Sequence, residues 1–69
     1  MKVTGTVRHL DLEGGAWVLF ADDGRRFELM PAPQDLVSDT RVEVHGELAD
    51  GMSMRMVGPG LRVTSLRRL

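Results

Sequence analysis

Apolar and polar positions alternate with a period of two along most of the chain, and no stretch of about ten residues carries a helical period. Val3, Gly5, Val7 and His9 alternate with Lys2, Thr4, Thr6 and Arg8, which predicts a first strand continuing through Leu10 and Leu12. The parity changes near His9-Leu10, as a β-bulge would produce. Glu13-Gly14-Gly15 reads as a turn, and Ala16 to Ala21 (AWVLFA) as a second strand, aromatic and β-branched. Asp22-Asp23-Gly24 is a tight hairpin signal, because Asp-Gly supplies the positive φ that such a turn needs. Arg25 to Met30 predicts a third strand with Phe27 and Leu29 on one face, Arg26 and Glu28 on the other.

The alternation then stops at Met30-Pro31-Ala32-Pro33, where proline withdraws its donor from any ladder. Pro33 fits the first position of a short helical turn through Gln34-Asp35-Leu36-Val37, ended by Ser38-Asp39. Arg41 to Leu48 predicts a fourth strand, with Val42, Val44 and Leu48 inward and Arg41, Glu43, His45 and Glu47 outward. Asp50-Gly51 is a further hairpin signal. Met52-Ser53-Met54-Arg55-Met56 alternates like a strand, Gly58-Pro59-Gly60 breaks it, and Leu61 to Leu66 closes the set before an Arg67-Arg68-Leu69 tail.

Five to six short antiparallel strands in one domain over 1–69 point to an all-β, closed or nearly closed barrel. An SH3-like barrel usually places its short turn just before the last strand. Here the insertion, Pro31 to Asp39, falls between strands three and four, as in an OB-like barrel, which is the architecture expected.

The motifs G-T-V-x(5)-E-G-G-x-W, A-D-D-G-R-R-F-E-L, R-V-E-V-H-G-E-L and M-V-G-P-G-L-R-V-T-S-L span about residues 3–66. Their rhythm resembles a family of small bacterial OB-fold domains with no established activity. The matching positions are turn and core positions, so the resemblance implies a barrel and no particular chemistry. Related domains often carry cysteines or a lipoprotein leader; this sequence holds no cysteine, and no leader is expected.

Size sharpens this picture. At 7.7 kDa, surface scaling gives about 4,300 Å² folded against about 11,200 Å² unfolded, a burial of about 60% that leaves small domains marginal. With no cysteine, closing a barrel and associating with another chain are the ways left to bury more. No apolar run approaches the length of a membrane span, which needs about 20 residues. A cytoplasmic, soluble domain is expected. The net charge of −1 is an average. Residues 1–50 hold five basic and all ten acidic residues, and residues 51–69 hold Arg55, Arg62, Arg67 and Arg68 with no acid.

Two candidate surfaces follow. An outward aromatic, Trp17 or Phe20, beside Arg25, Arg26 or Arg62 would suit single-stranded nucleic acid, with the base stacked on the ring and arginine on the phosphate. Against it, a 69-residue barrel needs its few aromatics for the core, and ten carboxylates oppose non-specific phosphate binding. Met52, Met54 and Met56, with Arg55 between them, share a strand. Three thioethers form a weak soft-metal set, and methionine more often fills core gaps or adaptable contact surfaces. Pairing of these C-terminal strands between protomers would cover an open edge. His9, Asp11 and Glu13 with Asp22 and Asp23 form a possible acidic corner, and turn chemistry already explains the last two.

No nucleophile elbow, phosphate loop or zinc motif occurs. The expected function is a non-catalytic binding or interaction module, not an enzyme, with no cofactor and no metal. It would self-associate through the C-terminal strands or bind a protein partner, with single-stranded nucleic acid as the alternative ligand and no membrane partner.

Overall fold

The computed structural model describes residues 1–11, 15–31, 33–49 and 58–69. Five strands form one closed barrel: β1 (Lys2–Leu10), β2 (Ala16–Ala21), β3 (Arg26–Met30), β4 (Thr40–Ala49) and β5 (Gly60–Arg68). They follow each other around the barrel in the order β1-β2-β3-β5-β4. This is an OB-like barrel. Among the described residues no helix is long and apolar enough to cross a membrane.

β1 is the hub. Its first part, Lys2 to Val7, pairs with β4, and its second part, Gly5 to Leu10, pairs with β2. A strand shared by two neighbours must coil tightly at the crossing, and Gly5 sits there. A Cβ on Gly5 would run into the backbone carbonyl of Phe20. Val3, Val7, Leu19, Phe27, Leu29, Val42, Val44 and Leu61 fill the interior. The total accessible surface is 4501 Å², close to the value of about 4,300 Å² that scaling gives for a folded chain of this mass.

The Asp-Asp-Gly signal makes the hairpin it predicts. The Ala21 amide donates to the Arg25 carbonyl (2.8 Å), the Gly24 amide donates to the Ala21 carbonyl (3.0 Å), and Gly24 takes φ 94°.

The structure corrects several expectations. The barrel is not wholly antiparallel: β3 and β5 pair in parallel, Glu28↔Gly60 to Met30↔Arg62. That pairing closes the sheet after the β4–β5 excursion and is not readable from local alternation. The short helical turn between strands three and four is not seen. Asp35 (φ 56°) and Asp39 (φ 72°) adopt left-handed conformations that no right-handed helix accommodates. The connection is held instead by single contacts. The Asp39 amide donates to the Val7 carbonyl (2.7 Å), the His9 amide to Ser38 Oγ (3.0 Å), and Thr40 Oγ1 to the Val37 carbonyl (2.6 Å). Leu36 from this segment packs on the main core.

The bulge is elsewhere too. The β1–β2 register runs unbroken from Gly5↔Ala21 to Leu10↔Ala16. The parity change near His9 arises because Leu10 lies on the outer face, against Ala16 and Val18. The register slips instead between β4 and β5: Gly46 faces Val63 while His45 faces Ser65, so Thr64 is the extra residue. Its Oγ1 donates to the His45 carbonyl (3.0 Å). This slip lets both Val63 and Leu66, an odd number of residues apart, pack on the core.

Leu48 was expected inward. It faces Leu61 in register but is 53% exposed. The β1–β4 ladder stops at Lys2↔His45, so beyond that point no strand among the described residues flanks Leu48 on the β1 side. Arg67 and Arg68, read as a tail, belong to β5. The expected strand at Met52 to Met56 and the turns at Glu13-Gly14 and Asp50-Gly51 lie outside the described residues.

Candidate binding surfaces

β2 is buried on both faces, which an alternating pattern alone would not predict. Leu19 and Ala21 face the main core, and Trp17 packs against it half-buried. Ala16 and Val18 on the opposite face are buried as well, with Leu10 and Phe20 packed beside them. Trp17 therefore lies on the interior side, with its ring 5.2 Å from that of His9 and tilted by 50°. The outward aromatic is Phe20, half-buried, opposite Arg26 in the β2–β3 register.

The other predicted nucleic-acid residues do not converge with Trp17. Arg25 sits past the far end of β2, in the hairpin. Its Nε donates to Asp23 Oδ2 (2.8 Å), and its guanidinium carbon lies 5.2 Å from the centre of the Phe27 ring. Arg26 and Arg62 are exposed, but Arg62 pairs with Met30, four strand positions from Arg26 or about 13 Å. Between them the buried Glu28, 4% exposed, occupies the middle of the outer β3 face. Met52, Met54, Arg55 and Met56, the expected contact residues for self-association, lie outside the described residues.

Arginine on the β1–β4 side is engaged by acid. Arg41 forms a two-pronged pair with Asp22, Nη1 to Oδ1 at 2.6 Å and Nη2 to Oδ2 at 2.8 Å. Arg8 Nε reaches Asp39 Oδ1 at 3.0 Å, and Arg67 Nη2 donates to Glu43 Oε1 at 3.3 Å. Of the acidic corner predicted around His9, Glu13 lies outside the described residues, and Asp22 does not come to His9. Asp22 donates its amide to Thr4, whereas His9 pairs with Trp17 at the other end of the β1–β2 ladder. Among the described residues no three His, Asp or Glu side chains are placed to hold a metal ion.

These pairs set a direction for pH dependence. The hydrogen bond from Arg41 holds the Asp22 carboxyl below its ordinary value of 3.8. The Arg25 amide does the same for Asp23. Burial pushes Glu43 up, but the hydrogen bond to His45 and the charges of Arg67 and Lys2 prevail and lower it. A carboxyl lowered in the folded state stabilises the fold in full above its unfolded pKa, and that contribution is lost as pH falls through the folded one. The urea midpoint is therefore expected to drop on acidification below the ordinary carboxylate range. Asp22→Asn should blunt this drop, and high salt should shrink it, since these pairs are exposed. An acid response identical in Asp22→Asn and the native chain would show that the Arg41 pair contributes nothing.

One surface was not found by sequence reasoning. An open cleft of about 380 Å³ is lined by Pro31, Pro33, Gln34, Val63 and Leu66. Pro31 ends β3, so its ladder with β5 stops at Met30↔Arg62. Past that point, among the described residues, β5 continues to Arg68 paired with β4 alone. Two prolines at the end of a strand signal the break. That a parallel partner would be left uncovered there needs the strand order.

No family model matches this chain, and no curated protein or solved structure matches it. The resemblance to small bacterial OB-fold domains rests on the sequence motifs.

Proposed function

We propose that this chain is a non-catalytic interaction module that binds a protein partner along the open side of β5. The observation that carries the reading is the cleft between the Pro31–Pro33 segment and the Val63–Leu66 stretch. The barrel interior is filled with side chains, as small barrels generally are, which leaves surface recognition as the use of the fold. Val63 and Leu66 are half-buried apolar residues at a strand edge that no described strand pairs with, the kind of surface that segment-binding domains employ.

A second reading, weak single-stranded nucleic-acid binding, is supported by Phe20 and Arg26 facing each other on the outer β2–β3 face. The buried Glu28 beside them and the acid-paired arginines weigh against it.

Selection of a random peptide display library on the barrel tests both readings, with a labelled single-stranded oligonucleotide titrated in parallel at low salt. Enriched peptides are expected to perturb the amides of Gln34, Val63 and Leu66, and to lose binding on Leu66→Glu. Peptides that bind elsewhere, or no enrichment, would overturn the proposal. Saturable oligonucleotide binding abolished by Arg26→Ala would favour the second reading.

A further inference from the structure

Two features of the β5 edge define what it can take. The first is its backbone. The Leu69 amide donates to the Arg41 carbonyl across β4 (2.9 Å). Main-chain groups alternate in direction along an antiparallel ladder, so those of Leu66 and Arg68 point to the opposite edge. Among the described residues no strand pairs with β5 on that edge beyond Arg62. The wall across the cleft is built from Pro31 and Pro33, which have no amide proton to offer it.

The second is charge. Residues 60–69 contain Arg62, Arg67 and Arg68 and no acid. Two copies of this edge laid together would bring like charges into register, which opposes self-pairing. An acidic segment would meet the arginines favourably.

We propose that the edge of β5 from Val63 to Arg68 takes an extended acidic peptide as an added strand, its apolar side chains alternating into the cleft against Val63 and Leu66. This rests on the interaction-module reading above and names its partner. The six positions span about 20 Å of strand, so a short segment suffices. Its backbone hydrogen-bonds to Leu66 and Arg68. Its outward carboxylates lie near Arg62 and compete with Glu43 for Arg67.

The test uses a short synthetic peptide alternating valine with glutamate, titrated into the full chain by calorimetry and amide chemical shifts. Saturable binding that weakens with salt is expected, with shifts centred on Val63 to Arg68 and on Gln34. The double variant Arg62→Glu, Arg67→Glu, both exposed positions, should weaken it about tenfold. Methylating the peptide's alternate amides on its β5-facing side should abolish binding, and the lysine counterpart should not bind. Equal binding of the methylated peptide would rule out strand addition, and equal binding of the lysine peptide would rule out the charge argument. Concentration-dependent shifts at the same edge without peptide would assign it to a second copy instead. If the display selection enriches apolar or basic segments at this cleft, the acidic-strand proposal fails and the interaction-module reading stands. If nothing binds the cleft in either experiment, both fail.

Discussion

Phe27→Ala is expected to remove most of the fold's stability. Phe27 is 2% exposed and is the largest of the fully buried side chains. Deleting such a ring costs about 3–5 kcal/mol through lost burial and the cavity left behind. A domain of this length has about 3.5–10 kcal/mol in total, at about 0.05–0.15 kcal/mol per residue. The variant should be largely unfolded in mild urea, where the native chain still shows a cooperative transition. Trp17, the only tryptophan, packs on the same core and reports the transition by its fluorescence. Phe27→Leu, which keeps most of the volume, should cost about 1–1.5 kcal/mol. A loss below about 1 kcal/mol for Phe27→Ala would mean that the ring does not anchor the core.

Gly46→Ala should be among the most damaging of the small substitutions. A Cβ at Gly46 would collide with the Arg62 carbonyl oxygen and lie 3.0 Å from its carbon, both rigid backbone of β5. Gly46 also sits beside the register slip and donates its amide to the Met1 carbonyl (2.9 Å). Relief therefore requires moving one strand off another next to the bulge. The expected cost is about 2–3 kcal/mol, or a fall of about 10–20 °C in Tm. Gly24→Ala provides the contrast. Nothing lies within 4 Å of its added Cβ, but its φ of 94° strains any side chain, which costs about 1–2 kcal/mol. If Gly46→Ala melts within a degree or two of the native chain, β4 and β5 are not as closely apposed as described.

How much of this was legible in the sequence depends on how far each contact reaches along the chain. The Asp22-Asp23-Gly24 hairpin is local, and its turn residues are sufficient to specify it. The alternation of Val3, Val7, Val42 and Val44 identified the inward faces because those strands are regular. The same rule failed for Leu48, which lies beyond the last described pair of the β1–β4 ladder. At β2 it rightly put Trp17 and Phe20 on opposite faces, but with both faces buried it does not choose which of them points outward. Pro33 and the residues after it read as a helix start, yet Asp35 and Asp39 turn left-handed, and Leu36 fills the core from an irregular segment. The candidate arginines were identified one by one. Whether they converge depends on the register between strands, and that register sets Arg26 and Arg62 apart around Glu28. The cleft at β5 was the least legible feature, since it exists only because β3 stops alongside a strand some thirty residues later in the chain.

The parallel β3–β5 pairing has a consequence for motion. It spans Glu28 to Met30 alone, while β1 pairs with β2 and with β4 over six positions each, and β4 with β5 over eight. The β2–β3 pairing is equally short but is tethered by its hairpin. Short ladders without a covalent tether are where a native protein breathes at least cost. The barrel thus has a hinge-like side, with the β1–β4 ladder as spine and the meander and the β4–β5 pair as two leaves. The amide of Glu28, bonded to the Pro59 carbonyl at 2.9 Å, marks the latch. Sub-global opening would uncouple it before the spine yields.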